Sequence, residues 1–318
     1  MINAVLEIFG AGLSSCWGLA GDLGNSVAEI NFPLLVLALF LFAAMQLLRA
    51  RSWQNILRSA FPKAEVSYTQ VSTTYLLGAG LNAILPAKIG EATKLMVIKP
   101  ELGREATYPA LASTLLTLTV FDTIIGIVVM AYALHLGLLA ALPLPAFSLT
   151  WLLVAFLALS LLAWASHHSL YLRAFFKKLA LGANALRDPG YYLRRVASYQ
   201  ALGWLLRFCS FSVMLSAFGV SGHFSNVLLV MSIQAAAGII PFAPGGGGAQ
   251  QALMVAALSG SSGAILFYSV GAAIAVTGLS VALAILALAW LFPGLPVRQW
   301  FHTLRPKSLT EPLPEPTS

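Results

Sequence analysis

Charged residues are scarce in this sequence. Asp, Glu, Lys and Arg make up only 9% of its 318 residues, whereas 59% are hydrophobic. An ordinary soluble domain carries about 25% charged residues. So few charges cannot cover the surface of a water-soluble globule of this size. The composition therefore excludes that class and predicts a protein that crosses a membrane several times.

Cysteine and histidine are also few. The two cysteines, Cys16 and Cys209, lie far apart in apolar stretches, so free thiols are favoured over a disulfide. The histidines lack the spacing of metal ligands, and no nucleophile–base arrangement is legible, so we expect neither a metal nor another cofactor. The net charge of +7 comes from short basic clusters between apolar runs, which is typical of membrane proteins and argues against nucleic-acid binding.

Long apolar runs dominate the chain and predict five ordinary spans: 32–48, 107–134, 149–165, 196–218 and 264–292. Residues 2–21 are interrupted by Glu7 and stay unassigned. Under the positive-inside rule, the C-terminus and four basic clusters are expected in the cytoplasm: 49–63, 88–104, 173–195 and 298–307. The predicted fold is an all-α, polytopic helix bundle in the cell membrane.

Two apolar segments, 66–99 and 224–260, are interrupted by proline and glycine and do not fit as simple spans. The first begins and ends beside cytoplasmic lysines, and the second beside uncharged outer loops. We predict two re-entrant hairpins of opposite orientation in an inverted repeat, with ordinary crossings as the alternative. The chain would then consist of one membrane domain in two halves and a Pro-rich cytoplasmic tail: 1–292, divided into about 1–165 and 166–292, and 293–318.

The interruptions themselves predict a cavity. Broken helix backbone has N–H and C=O groups that lipid cannot satisfy, so it persists only where it packs in protein or lines a wet space. In transporters, broken segments at matching positions of two halves indicate the substrate site. The two interruptions are therefore expected to meet around a polar chamber.

The first interruption, ILPAKIGEATK, carries three charges at a spacing of three, which places Lys88, Glu91 and Lys94 on one face of the second half-helix. The cluster has a net charge of +1, and the helix N-terminus adds partial positive charge, so an anionic phosphate head group would fit. The alternative is that the lysines extend to the cytoplasmic surface and Glu91 only pairs with them.

Three further residues shape this first interruption. Pro86 ends the first half-helix and Gly90 loosens the start of the next. Asn82, one turn before Pro86, could cap or bridge the break; an ordinary interhelical hydrogen bond is the alternative.

The second interruption, PFAPGGGGAQQ, lacks side chains over four successive glycines, so backbone N–H groups can approach a ligand closely. It is not a nucleotide loop, because no Gly-Lys-Ser/Thr follows. A flexible loop or a close helix crossing is the alternative. The candidate residues here are Pro241, Pro244, Gly245, Gly246 and Gly248, with Gln250 and Gln251 opening the next half-helix.

Asp122 and Arg207 are single charges within predicted spans. Ionisable groups inside membrane helices are functional candidates, because their burial is costly. Two interpretations remain open: the residues pair with one another as a structural element, or they face the substrate.

The two interruptions resemble signatures of the lysylphosphatidylglycerol synthase transmembrane region, also called the flippase-like domain. NAILPAKIGEATK is similar to N-x-x-x-P-x-(Arg/Lys)-x-G-E-x-x-(Arg/Lys), and PFAPGGGGAQQ to P-x-x-P-G-G-x-G followed by a polar-acidic pair. The resemblance runs from about 30 to 292 and implies a bundle with re-entrant helices that moves a lipid between leaflets. The sequence departs from the family in two places: Gln250 and Gln251 replace a basic and an acidic residue, and Leu118 and Thr119 replace the Glu-Arg before Asp122.

The resulting hypothesis is a lipid flippase or transporter that moves an anionic phospholipid or a lipid-linked glycan. The alternatives are an integral-membrane transferase acting on a lipid-linked substrate, and a non-transporting scaffold for envelope-lipid synthesis. Since no synthase domain follows residue 292, synthase activity is not expected. The candidate partners are the lipid itself, a second copy of the chain, or an enzyme of envelope-lipid synthesis.

Overall fold

The computed structural model describes residues 30–85, 89–103, 105–137, 177–237, 254 and 262–291. Every element in these ranges is helical. The longer helices are α1 (Phe32–Ala60), α2 (Tyr68–Ile84), α3 (Ile89–Ile98), α4 (Tyr108–His135), α5 (Ser198–Ala217), α6 (Phe224–Ala237) and α7 (Ser262–Leu291). Short elements join them: 3-10 turns at Lys99–Leu102 and Asn184–Arg187, an α-helical turn at Pro189–Tyr191, and a π-helical stretch at Tyr192–Ala197 that leads into α5.

Local sequence signals explain where the first helices begin. The Asn31 side chain accepts a hydrogen bond from the Leu34 amide at 3.3 Å, so it caps α1. α2 begins with a capping box in which Ser67 and Gln70 satisfy each other's backbone amides. Both caps fix the register of helices that line the site described below.

Three described helices are long and apolar enough to cross a membrane: Phe32–Ala60, Tyr108–Ala133 and Ala264–Leu291. Their outer faces expose large apolar side chains such as Phe40 and Leu286, as expected of surfaces that contact lipid. The predicted spans 32–48, 107–134 and 264–292 are therefore helices of the length and composition that a crossing requires. The predicted span 149–165 lies outside the described residues. α5 covers most of 196–218, but Gln200, Arg207 and several serines make it less apolar than the other three.

α1 and α5 form the most extensive helix pair, through small and hydroxyl-bearing residues. The Ser210 hydroxyl donates to the Ala38 carbonyl at 2.8 Å. The Ser52 hydroxyl donates at 3.1 Å to the carbonyl of Val196, in the π-helical stretch that leads into α5. Ala38 is completely buried. Small residues allow membrane helices to approach closely, and hydroxyl groups then bond across the interface.

α2 and α3 form a helical hairpin. A Cβ atom added at Gly90 would collide with the Gly78 carbonyl oxygen, so the two helices touch backbone to backbone. At the open end, the Gln70 side chain donates to Glu101 at 2.8 Å, which shows that the chain returns to the end where α2 began. The interruption predicted in 66–99 is therefore a reversal of the chain.

The predictions that concern the second hairpin lie largely outside the described residues. α6 ends at residue 237, and of residues 238–261 only Met254 is described. The inverted repeat, the division into halves and the re-entrant placement of both hairpins stay predictions.

Basic residues collect at one end of the bundle. The last turns of α1 meet residues 184–195, where the Asn184 side chain donates to the Ser59 carbonyl at 2.8 Å and the Tyr191 hydroxyl donates to the Asn55 carbonyl at 2.8 Å. Lys63 forms an exposed ion pair with Glu105 at the same end. The opposite end of α1 lies beside the end of α5, where the Asn31 amide donates to the Ala217 carbonyl at 2.9 Å. We call these the basic end and the apolar end.

Candidate functional site

A cavity of about 1060 Å³ lies between the helices, and all seven longer helices contribute to its wall. Much of the lining is apolar and includes several methionines and phenylalanines. The polar lining residues among those described include Gln46, Arg49, Tyr75, Asn82, Glu91, Lys94, Asp122, Trp204, Arg207, Ser232 and Gln234. A charged cavity of this kind in a membrane protein is costly to build and indicates function.

Arg49 and Asp122 form the first ion pair of the cavity. The Arg49 Nη1 atom donates to Asp122 Oδ1 at 3.1 Å, and Nη2 contacts Oδ2, so the guanidinium binds the carboxylate with two parallel bonds. Arg49 Nε donates to the Tyr75 hydroxyl at 2.9 Å, and the Trp204 indole donates to Asp122 Oδ1 at 2.8 Å. The pair thus ties α1, α2, α4 and α5 together with bonds that hold both charges in place.

Glu91 and Lys94 form the second ion pair, on α3. The Lys94 ammonium lies 2.8 Å from Glu91 Oε1, and the Asn82 amide donates to the same oxygen at 2.8 Å. The Asn82 carbonyl oxygen accepts from the Gly90 amide at 2.8 Å. Asn82 therefore bridges the two arms of the hairpin, as one of the two interpretations predicts.

Lys94 does not extend to the surface. Its side chain is only 5% exposed, against 38% for Glu91, and its ammonium lies 4.1 Å from the centre of the Tyr75 ring. The surface interpretation is therefore wrong for Lys94. The ring and the carboxylate together stabilise a cation that would otherwise be costly to bury.

Arg207 has no carboxylate partner among the described residues, where the ion pairs are Arg49–Asp122, Lys63–Glu105 and Glu91–Lys94. Its Nη2 atom donates to Gln234 Oε1 at 3.1 Å. Its guanidinium carbon lies 5.3 Å from the Trp204 ring centre and 5.6 Å from that of Phe211. Of the two interpretations left open for Asp122 and Arg207, the structural pair is not found, because Asp122 binds Arg49 instead. Trp204 contacts both residues.

Arg49 lies in the cavity wall, although it opens the basic cluster 49–63 that the sequence predicts in the cytoplasm. α1 continues past it to Ala60. The sequence signal for this placement is the set of buried positions that follow, such as Trp53 and Ile56. These apolar residues at helical spacing indicate that the helix stays inside the protein beyond the arginine.

Tyr75, Trp204 and Gln234 are further contributors that the sequence alone did not single out. Each is uncharged and lies in an apolar helix, where an aromatic or amide residue is ordinarily part of the packing. Their roles become visible only through their contacts with Arg49, Asp122 and Arg207.

Comparison with known families decides the assignment. The model of the family described as the lysylphosphatidylglycerol synthase TM region matches residues 9–288. The chain belongs to this family. The match includes every described residue of the cavity and confirms the resemblance drawn from the two motifs. No curated protein and no solved structure matches the chain.

Family membership and the apolar helices together make this a multi-pass membrane protein connected with membrane-lipid synthesis or translocation. The departures from the family pattern at Leu118 and Thr119 do not reach the cavity: Leu118 is buried in the core and Thr119 is exposed on α4. Several predicted site residues lie outside the described residues, namely Pro86, Lys88, Pro241, Pro244, Gly245, Gly246, Gly248, Gln250 and Gln251.

Proposed function

We propose that this protein moves an anionic phospholipid or a lipid-linked glycan between the leaflets of the cell membrane. The observation that supports the proposal is the cavity of about 1060 Å³, which carries charged side chains, lies between apolar helices and is partly built from a chain reversal. Its described lining has three cations, Arg49, Lys94 and Arg207, against two carboxylates, Glu91 and Asp122. The excess of one positive charge favours an anionic guest.

The volume is large enough for a lipid head group. Ligand pockets for small molecules measure about 300–1000 Å³, so a cavity of about 1060 Å³ has room for a phosphate with a glycerol or sugar while the acyl chains stay in the membrane. The methionines and phenylalanines of the wall would adapt to the glycerol region. Because the sequence has no nucleotide loop, we expect a gradient or a partner protein to supply any driving force.

Glu91→Gln is expected to slow lipid exchange between leaflets at least tenfold. The substitution removes the charge that balances Lys94 in the cavity wall, so the hairpin would hold the head group too tightly or lose its arrangement. The measurement is leaflet exchange of a fluorescent anionic lipid in liposomes that contain the purified protein. Glu105→Gln is the matched control, because Glu105 also pairs with a lysine, but at the surface, where the two side chains are 84% and 69% exposed. Its rate should stay within twofold of the wild type.

Two results would contradict transport. Wild-type protein that exchanges no offered lipid faster than empty liposomes would refute the proposal. Equal rates of lipid exchange for Glu91→Gln and wild type would show that the Glu91–Lys94 pair of the hairpin has no role in transport. Turnover of a lipid-linked donor would instead favour the transferase alternative, and Glu91 or Asp122 would then be the candidate base.

We also propose that the α2–α3 hairpin enters and leaves the membrane on the cytoplasmic side. α1 has 29 residues, so its two ends lie about 43 Å apart, enough to cross a bilayer. Lys63→Cys at the basic end should react with an impermeant thiol reagent only from the cytoplasm, and Ser221→Cys at the apolar end only from outside. The background carries Cys16→Ser and Cys209→Ser. Labelling of both positions from the same side would refute this topology.

A further inference from the structure

The five charged side chains of the described cavity lining differ in whether they have a partner of opposite charge. Arg49 is bound by Asp122, and Lys94 is bound by Glu91. Each of these pairs is neutral as a unit. The excess positive charge of the described lining therefore resides on Arg207, which donates a hydrogen bond to the neutral side-chain amide of Gln234 at 3.1 Å.

The sequence limits where a carboxylate for Arg207 could come from. Residues 138–176, 238–253 and 255–261, which lie outside the described ranges, contain no Asp or Glu. The same is true of 86–88 and 104. None of the described carboxylates forms an ion pair with Arg207. The remaining carboxylates all lie in 1–29 and 292–318. Between residues 30 and 291 no carboxylate is paired with Arg207, so an anion from outside the chain could serve as its counter-charge.

The neighbours of the Arg207 guanidinium also leave it able to bind such an anion. Trp204 and Phe211 lie one turn before and after Arg207 on α5 and place their rings near it. One of its five N–H donors is used by Gln234, which leaves the others for a ligand that accepts two parallel bonds. Ser232 lines the same cavity and is 1% exposed, and its hydroxyl has no hydrogen-bond partner among the described residues.

We propose that Arg207 is the head-group subsite of the cavity and takes a single phosphodiester group with one negative charge. This inference rests on the proposed function and specifies its substrate: a lipid whose head group is a monoanion, such as a phosphodiester without an amine. Such a ligand neutralises the one uncompensated cation. A zwitterionic head group brings its own positive charge into the apolar wall, and a doubly charged phosphomonoester leaves one negative charge unpaired, so both should bind less well.

The test is equilibrium binding to the purified full chain in detergent. The ligands are short-chain phosphatidylglycerol, phosphatidylcholine and phosphatidic acid, with water-soluble glycerophosphoglycerol as the lipid-free source of the same phosphodiester. Arg207→Gln should weaken phosphatidylglycerol binding at least tenfold and abolish its preference over phosphatidylcholine. Arg207→Lys keeps the positive charge but loses the planar set of N–H donors, so it should bind phosphatidylglycerol with an intermediate affinity. An intermediate affinity would also show that the loss in Arg207→Gln is not caused by misfolding.

Arg51→Gln is the matched control for the arginine substitution. Arg51 donates to Gln54 at 2.6 Å and lies 5.4 Å from the Tyr68 ring centre, so it makes the same types of contact as Arg207, but it does not line the cavity. Its substitution should leave phosphatidylglycerol affinity within twofold of the wild type.

Three results would overturn the subsite: unchanged phosphatidylglycerol affinity in Arg207→Gln, a wild type with no preference for phosphatidylglycerol over the other two lipids, or an equal effect of Arg51→Gln. Equal affinity for glycerophosphoglycerol would overturn the assignment to a lipid.

Failure of this subsite is distinct from failure of transport. Lipid exchange that persists in Arg207→Gln contradicts the subsite alone, whereas Arg207-dependent binding without any exchange contradicts transport alone.

Discussion

Asp122→Asn is expected to lower the free energy of unfolding by about 3–5 kcal/mol. The substitution leaves Arg49 without its two-bond carboxylate partner inside the cavity, close to a second unneutralised cation, Arg207. The asparagine can still accept the Trp204 hydrogen bond at one oxygen, so the loss reports mainly on the charge. The measurement is denaturant or thermal unfolding of the purified protein in detergent micelles, followed by tryptophan fluorescence.

A double substitution distinguishes two contributions to the free energy of unfolding: the cost of leaving Arg49 unpaired and the net stabilisation by the ion pair. Arg49→Met together with Asp122→Leu removes both charges, and the double variant should be less destabilised than Asp122→Asn alone. Glu105→Gln, which breaks an exposed pair, should cost no more than about 1 kcal/mol. If Asp122→Asn and Glu105→Gln had the same small effect, the ion pair in the cavity would not be a structural determinant.

Gly90→Ala is expected to disrupt the hairpin and cost about 3 kcal/mol or more, an overpacking effect at the upper end of the usual range. The added Cβ would collide with the Gly78 carbonyl oxygen and lie 2.6 Å from Asn82 Oδ1. Neither neighbour can yield easily, because one is backbone and the other caps the Gly90 amide. The measurement is the yield of monodisperse protein together with its unfolding midpoint.

Gly126→Ala is the control for this second substitution. Gly126 also lies within a helix and lines the cavity, but a Cβ there meets no atom within 4 Å. Since alanine favours a helix over glycine by about 1 kcal/mol, this variant should be as stable as the wild type or slightly more stable. Equal destabilisation by both substitutions would contradict the close contact between α2 and α3.

The sequence predicted the parts of the site that depend on local signals. Proline, glycine and the three-residue charge spacing indicated a break before Gly90, and the structure has a chain reversal there with Glu91 and Lys94 side by side. Asn82 was expected at the break and bonds across it. Apolar length predicted α1, α4 and α7 as spans, because a bilayer fixes how many apolar residues a helix needs.

The sequence could not predict which charged residues of the cavity form pairs, because this depends on how helices far apart in the chain are rotated against one another. Asp122 and Arg207 are the isolated charges of two spans, so the sequence is compatible with a pair between them and also with both facing a substrate. The partner of Asp122 is Arg49, which is 73 residues away and looked like the start of a cytoplasmic cluster. A charge at the end of an apolar run can face the membrane surface or an internal cavity, and only the packing of α1 against α5 decides between them.

The backbone contact between α2 and α3 limits how the cavity can change shape. The two arms are fixed at the tip by Asn82 and at the base by the bond between Gln70 and Glu101, and no side chain separates them at Gly78 and Gly90. They therefore cannot part from each other without breaking these contacts. Any change in cavity shape that keeps these contacts therefore has to move α2 and α3 together as one unit.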